Sequence, residues 1–175
     1  IYHDPETRKN AITYRSNLAR LLEKLLEEKK YDKAEDILDL AMEKMPVKYF
    51  GFDTLLEPYI LGYYEIGKPE KAREIWRSVA KKYQDWLKYY SSLDFEKQYE
   101  YAQKIYTEIE KYRSLVDILI IAKDSELARQ EAENFNGYLD LFGLFKGEDL
   151  EASPNQAVDS TNSSELFEEA RQDLE

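Results

Sequence analysis

The chain has 175 residues, with 25 Lys+Arg against 36 Asp+Glu and a net charge of −11, which is one domain's worth of sequence. Hydrophobic residues at 43% exclude wholesale disorder, and six Gly and five Pro are too few for an all-β protein rich in tight turns. No apolar run approaches the roughly 18–20 residues a membrane span needs; the longest is Ile118 to Ala122.

The first periodic segment runs from about Pro5 to Glu28. Asp4-Pro5-Glu6 is a helix start, and Ile12, Leu18, Leu21, Leu22, Leu25 and Leu26 follow helical spacing. Asp32 opens a second helix carrying Ala34, Ile37, Leu38, Ala41, Met42 and Met45, which Pro46 stops. The short connection predicts that the two lie antiparallel. An aromatic loop, Val47 to Phe52, precedes a third helix capped by Asp53, with Pro58 marking a start nearer to itself. Gly67 is that helix's natural terminator. Pro69-Glu70 begins a fourth helix with Ala72, Ile75, Trp76, Val79, Ala80 and Tyr83, continuing through Trp86, Leu87 and Tyr90. Asp94 caps a fifth, long helix to Ile120, and Asp124 a sixth reaching Phe142.

Six helices in three hairpins suggest a repeat. Asp32-Lys33-Ala34-Glu35 aligns with Glu70-Lys71-Ala72-Arg73 at a spacing of 38, and Ser125 to Arg129 is a third, partial copy. The pattern resembles the tetratricopeptide repeat, in which a small residue opens the second helix of each hairpin so that two helices can approach closely. It departs at Leu22 and Ile60, which stand where a small residue is usual, and the period exceeds the usual 34. The expectation is an all-α right-handed superhelix of about three hairpins over residues 1–142; an unrelated helical bundle with Ala at its crossings fits the same residues. Residues 143–162 read as a polar linker. Residues 163–175 read as an acidic tail with a short helix over 165–174, placing Phe167, Ala170 and Leu174 on one stripe that docks on an apolar surface. From Gly147 to Glu175 there are nine acids and one base; the preceding 146 residues hold 27 acids and 24 bases.

Charge and motif content weigh against several functions. No basic stripe is present, so nucleic acid is not an expected partner. Without cysteine there is neither disulfide nor thiolate chemistry. His3, the only histidine, lies near the chain start, a poor place for a fixed catalytic or metal geometry. Adjacent acids such as Glu27-Glu28 and Glu168-Glu169 diverge on a helix and read as solvated faces. Neither a phosphate-cradling glycine loop nor a G-x-S-x-G is present. Asp159-Ser160-Thr161 matches a short O-glycosylation sequon, though a polar linker explains it equally. No cofactor and no catalytic or metal residue is expected.

Tyrosine is the unusual signal: 11 of 15 fall between Tyr49 and Tyr112. Tyr buries a ring while its hydroxyl seeks a partner, which suits a packing seam and a gripping surface alike. On the second reading Tyr49, Phe50 and Phe52 of the aromatic loop, with Tyr59 and Tyr64 of the third helix, are the candidate partner-binding residues.

Tyr14 to Leu21, Met45-Pro46, Tyr49 to Phe52, Tyr63 to Gly67, Tyr89 to Leu93 and Phe135 to Phe142 occur in an order that resembles the C-terminal region of a Bacteroidetes family of multi-pass membrane proteins, themselves similar to protein O-mannosyltransferases. The resemblance covers roughly Tyr2 to Phe142. It implies a piece of a longer protein, in keeping with the start at Ile1, facing the periplasmic side of the inner membrane and attached to a glycosyltransferase-like membrane half. No catalytic residue carries over. The implied role is a non-catalytic interaction module for a protein or peptide partner; a glycan- or substrate-contacting accessory domain and a structural spacer are the alternatives.

Overall fold

A computed structural model describes residues 5–50 and 55–142, and the calls on His3, Asp4, Phe52, Asp53, the linker and the tail lie outside them. Among the described residues the protein is all-α, with eight helices and no strand: α1 (Pro5–Glu27), α2 (Tyr31–Lys44), α3 (Val47–Phe50), α4 (Glu57–Glu65), α5 (Pro69–Ser91), α6 (Phe95–Glu100), α7 (Ala102–Ile121) and α8 (Ser125–Leu139). The six expected helices are present. Two short ones are added. The aromatic loop begins as one helical turn, α3, and the segment after Asp94 is broken at Tyr101 into α6 and α7. Asp94 does cap α6, accepting from the Lys97 backbone N–H at 2.9 Å. Pro58 sits in the first turn of α4, where its missing N–H costs nothing.

Three hairpins, α1/α2, α4/α5 and α7/α8, pack antiparallel, and they turn in the same way. Lys29, Gly67 and Lys123 have φ of 55°, 73° and 60°. At each turn the N–H of this residue bonds back three residues: Lys29 to Leu26 O (2.9 Å), Gly67 to Tyr64 O (3.0 Å), Lys123 to Ile120 O (3.0 Å). The next N–H bonds back five: Lys30 to Leu25 O (2.8 Å), Lys68 to Tyr63 O (2.8 Å), Asp124 to Leu119 O (2.9 Å). That pair of bonds is the Schellman motif, and it satisfies carbonyls a helix end leaves orphaned. Five residues beyond each left-handed residue comes a buried alanine: Ala34, Ala72, Ala128. The third turn is therefore a full copy of the other two, although only Gly67 announces itself by residue type.

The core is continuous through all three hairpins, from Leu22 and Leu38 through Ile60, Trp76 and Leu87 to Ile109, Leu119 and Phe135. The close approach of α4 to the first hairpin is permitted by Gly62, not by the positions of Leu22 and Ile60. A methyl group on Gly62 would stand 3.0 Å from Leu22 Cδ2 and 3.3 Å from Leu38 Cδ2. Trp76 is buried and donates its indole N–H to Leu115 O at 2.7 Å, tying α5 to α7.

Candidate functional site

The expected groove of Tyr49, Phe50, Tyr59 and Tyr64 is not assembled. Tyr59 is 0% exposed; its hydroxyl donates to the Arg15 carbonyl at 2.5 Å, and burial pushes its pKa up to about 12. Phe50 is buried with it in the core. Both rings are packed in the core, Phe50 at the end of α3 and Tyr59 on the buried side of α4. Tyr49 alone presents a ring, 46% exposed, with Lys48 Nζ 5.8 Å from its centroid. Phe52, Phe167, Ala170 and Leu174 lie outside the described residues.

Tyr63 and Tyr64 are consecutive in α4 and reach in opposite directions. Tyr63 donates to Asp39 Oδ1 of α2 at 2.7 Å, and Lys71 of α5 meets the same carboxylate at 2.8 and 2.9 Å. Tyr64 donates to Asp124 Oδ2 at 2.6 Å, and Arg73 of α5 grips that carboxylate with Nε at 2.7 Å and Nη2 at 3.0 Å. The middle hairpin thus clasps both neighbours with the same set of groups: a phenol from α4 and a cation from α5 on one foreign carboxylate. The Asp124 side chain is 4% exposed, and the Arg73 guanidinium followed by the Tyr64 hydroxyl holds its carboxyl below the ordinary carboxylate range. Asp124 stands at the α8 N-cap position without a side-chain cap bond, its carboxylate turned to Arg73 and Tyr64. At Asp39 burial opposes ionisation, but the hydrogen bonds from Lys71 and Tyr63 outweigh it and the carboxyl is again held down. Tyr112, in α7, is committed as well: it donates to Glu131 at 2.8 Å and accepts from Gln84 Nε2 at 2.7 Å, and burial raises its phenol strongly.

At the other end of α5, Trp86 and Tyr89 are exposed while Tyr83 and Tyr90 are buried. A cleft of about 340 Å³ opens between α5 and α7, lined by Lys82, Tyr83, Trp86 and Tyr90 on one side and Lys104, Thr107, Glu108 and Lys111 on the other. Trp86 is 45% exposed and stacks on Tyr90, centroids 5.8 Å apart and planes at 25°. Tyr90 meets Tyr101 at 5.9 Å, and Tyr89 stands edge-on to Trp86 at 5.9 Å. Lys104 Nζ sits 5.0 Å over the Tyr101 ring, and Lys111 pairs with Glu108 at 2.7 Å. Burial, then the nearby Glu108 carboxylate, raises the Tyr90 phenol. Three lysines and one glutamate line the cleft, with Lys111 and Glu108 paired to each other. A ring face of this kind suits an apolar side chain, and an ammonium group suits a carboxylate. Helical spacing builds the cleft, since Lys82, Trp86 and Tyr90 fall at i, i+4 and i+8, and Lys104, Glu108 and Lys111 at i, i+4 and i+7. Those intervals are readable in the sequence. What is not readable is that α5 and α7 lie side by side with these two stripes facing.

Among the described residues no helix is long and apolar enough to cross a membrane, and no group of three or more acidic or histidine side chains could hold a metal ion. Comparison with protein-family models, with curated proteins and with solved structures finds no match.

Proposed function

We propose that this chain is a non-catalytic helical-repeat interaction module, tetratricopeptide-like in its right-handed stacking of three hairpins, that binds an acidic peptide segment of a protein partner. The observation that carries the reading is the α5–α7 cleft: an exposed Trp86 stacked on the buried Tyr90, with Lys82, Lys104 and Lys111 in the lining. Rigid aromatic anchors beside cations are the composition of interface hot spots. The repeated turns support the repeat reading, because one turn geometry recurring in three hairpins is what stacked copies of one unit require. The resemblance noted in the sequence places such a module at the periplasmic end of a glycosyltransferase-like membrane protein, where it would recruit an acceptor or partner.

Trp86 makes the test direct, since Trp76, the only other tryptophan, is buried and serves as constant background. A synthetic peptide with several Asp/Glu around one Phe or Leu is titrated while Trp86 fluorescence is followed. Saturable binding that weakens about tenfold or more between low and 0.5 M salt supports the reading. No change with the acidic peptide, or an equal response to a lysine-for-acid version, rejects it. The broad exposed face of Trp86 beside Glu108 also favours a glycan reading. Saturation by a neutral oligosaccharide, insensitive to salt, selects that one.

A further inference from the structure

The short helix α6 is inside out. Of its 6 residues only Gln98 is buried, and its larger aromatic side chains, Phe95 and Tyr99, are 54% and 66% exposed. A buried glutamine beside exposed rings reverses the usual partition between core and solvent. The arrangement is held in place. Gln98 Nε2 donates to Leu93 O at 2.9 Å and to Ser91 O at 3.3 Å, so its side chain ties α6 to the end of α5. Asp94 caps the helix and pairs with Lys97 at 3.2 Å. Phe95 and Tyr99, at i and i+4, share one face of α6. Tyr89, near the end of α5, adds a third ring at this corner, 52% exposed.

We propose that the α5/α6 corner is an interface between two copies of this chain related by a two-fold axis, with Tyr89, Phe95 and Tyr99 at its centre. The proposal stands apart from the peptide-binding reading, which concerns the cleft between α5 and α7.

The charges beside the rings say which molecule covers them. Lys88 precedes Tyr89, Glu96 follows Phe95 and Glu100 follows Tyr99. All three are exposed, and none of their side chains makes an ion pair or hydrogen bond among the described residues. Their neighbours do pair, Lys81 with Asp85 at 3.0 Å and Lys97 with Asp94 at 3.2 Å. A patch with its free cation on α5 and its free anions on α6 is complementary to itself. In a two-fold contact residue i meets j and j meets i. Setting α5 of one copy against α6 of the other therefore brings Lys88 to Glu96 and Glu100 twice. Three rings, each about half exposed, offer about 300–400 Å² per copy. That is the size at which an exposed apolar patch marks a contact, and it is below the roughly 800 Å² per partner of a standard interface. The dimer is therefore weak and reversible.

Sedimentation equilibrium of the full chain tests this. Between about 1 μM and about 1 mM the unaltered chain is expected to pass from monomer to dimer and no further. Phe95→Ser with Tyr99→Ser is expected to weaken association at least about tenfold, with the melting temperature of dilute protein unchanged. The charge variants test the pairing itself. Lys88→Glu alone, and Glu96→Lys with Glu100→Lys alone, each set like charges face to face and are expected to remain monomeric. An equimolar mixture of the two is expected to recover the dimer, because each copy then supplies what the other lacks. A chain that is monomeric throughout overturns the proposal. Association that runs past the dimer, or that ignores both charge reversals, overturns it as well, since either marks indiscriminate ring stacking. A mixture that stays monomeric overturns the two-fold pairing. Should the aromatic variant melt early, the charge variants decide alone.

Discussion

The two ends of α5 use similar residues for opposite purposes. At its start, Lys71 and Arg73 share carboxylates with Tyr63 and Tyr64, so every polar tip in the two clasps has a partner within the protein. Near its finish, Trp86 stacks on Tyr90 and meets Tyr89 edge-on, and Trp86 and Tyr89 remain exposed to solvent. The difference lies in what the neighbouring carboxylate meets. Asp39 and Asp124 come from α2 and from the α7/α8 turn and accept from Tyr63 and Tyr64 at the first end, whereas Glu108 of α7 pairs with Lys111 at the second and leaves the Trp86 and Tyr89 rings exposed. Aromatic composition alone therefore does not mark a binding surface. A phenol with an internal partner holds hairpins together, and a ring whose face is left open is available to another molecule.

The contrast can be broken most strongly at Asp124. The Asp124 carboxylate is nearly dry, and truncating it leaves the partly buried Arg73 guanidinium and Tyr64 hydroxyl without their acceptor. Asp124→Ala is expected to cost about 3 kcal/mol by denaturant unfolding. The same group sets an acid limb. Its folded pKa lies below the ordinary value of 3.8, so its contribution is fully present above that value and is lost as pH falls through the folded pKa. Asp124→Asn should flatten stability against pH below about 4 relative to the unaltered chain.

The repeated turns give the next effect. Gly67→Ala places a side chain at φ of 73° and is expected to cost about 1–2 kcal/mol, whereas Lys123→Gly relieves the same strain and should stabilise by about 1 kcal/mol. Opposite signs at equivalent positions, read from urea midpoints, would sharpen the claim that one turn is used three times.

Asp39→Ala is expected to have the smallest effect. Lys71 and Asp39 are 41% and 50% exposed, so loss of their ion pair should cost less than about 1 kcal/mol, and less still in high salt. A loss equal to that of Asp124→Ala would erase the distinction between the two clasps.

Much of this architecture is legible in sequence because period and punctuation are local. Pro5, Pro69, Pro46 and Gly67 bound helices as their backbone chemistry requires, and Ala34 and Ala72 give the hairpin register. Lys29 and Lys123 carry no such mark, since a lysine reads as helix surface until its φ is known. The break at Tyr101 is likewise invisible in an otherwise apolar-periodic run. The burial of Tyr59 is not legible for a related reason. Tyr59 looks the same in sequence whether its hydroxyl finds Arg15 O or water, and that choice depends on a contact 44 residues away. The Lys82-Trp86-Tyr90 stripe has helical spacing in the sequence, and that spacing does not say which helix lies beside it.

The central claim is that the Trp86 end of α5 serves recognition and not folding. Trp86→Ala tests it in one protein, with melting temperature and affinity for an acidic, Phe-containing peptide measured together. The account predicts a melting temperature within about 2 °C of the unaltered chain and a loss of at least tenfold in affinity. A fall of many degrees, or unchanged affinity, would contradict it.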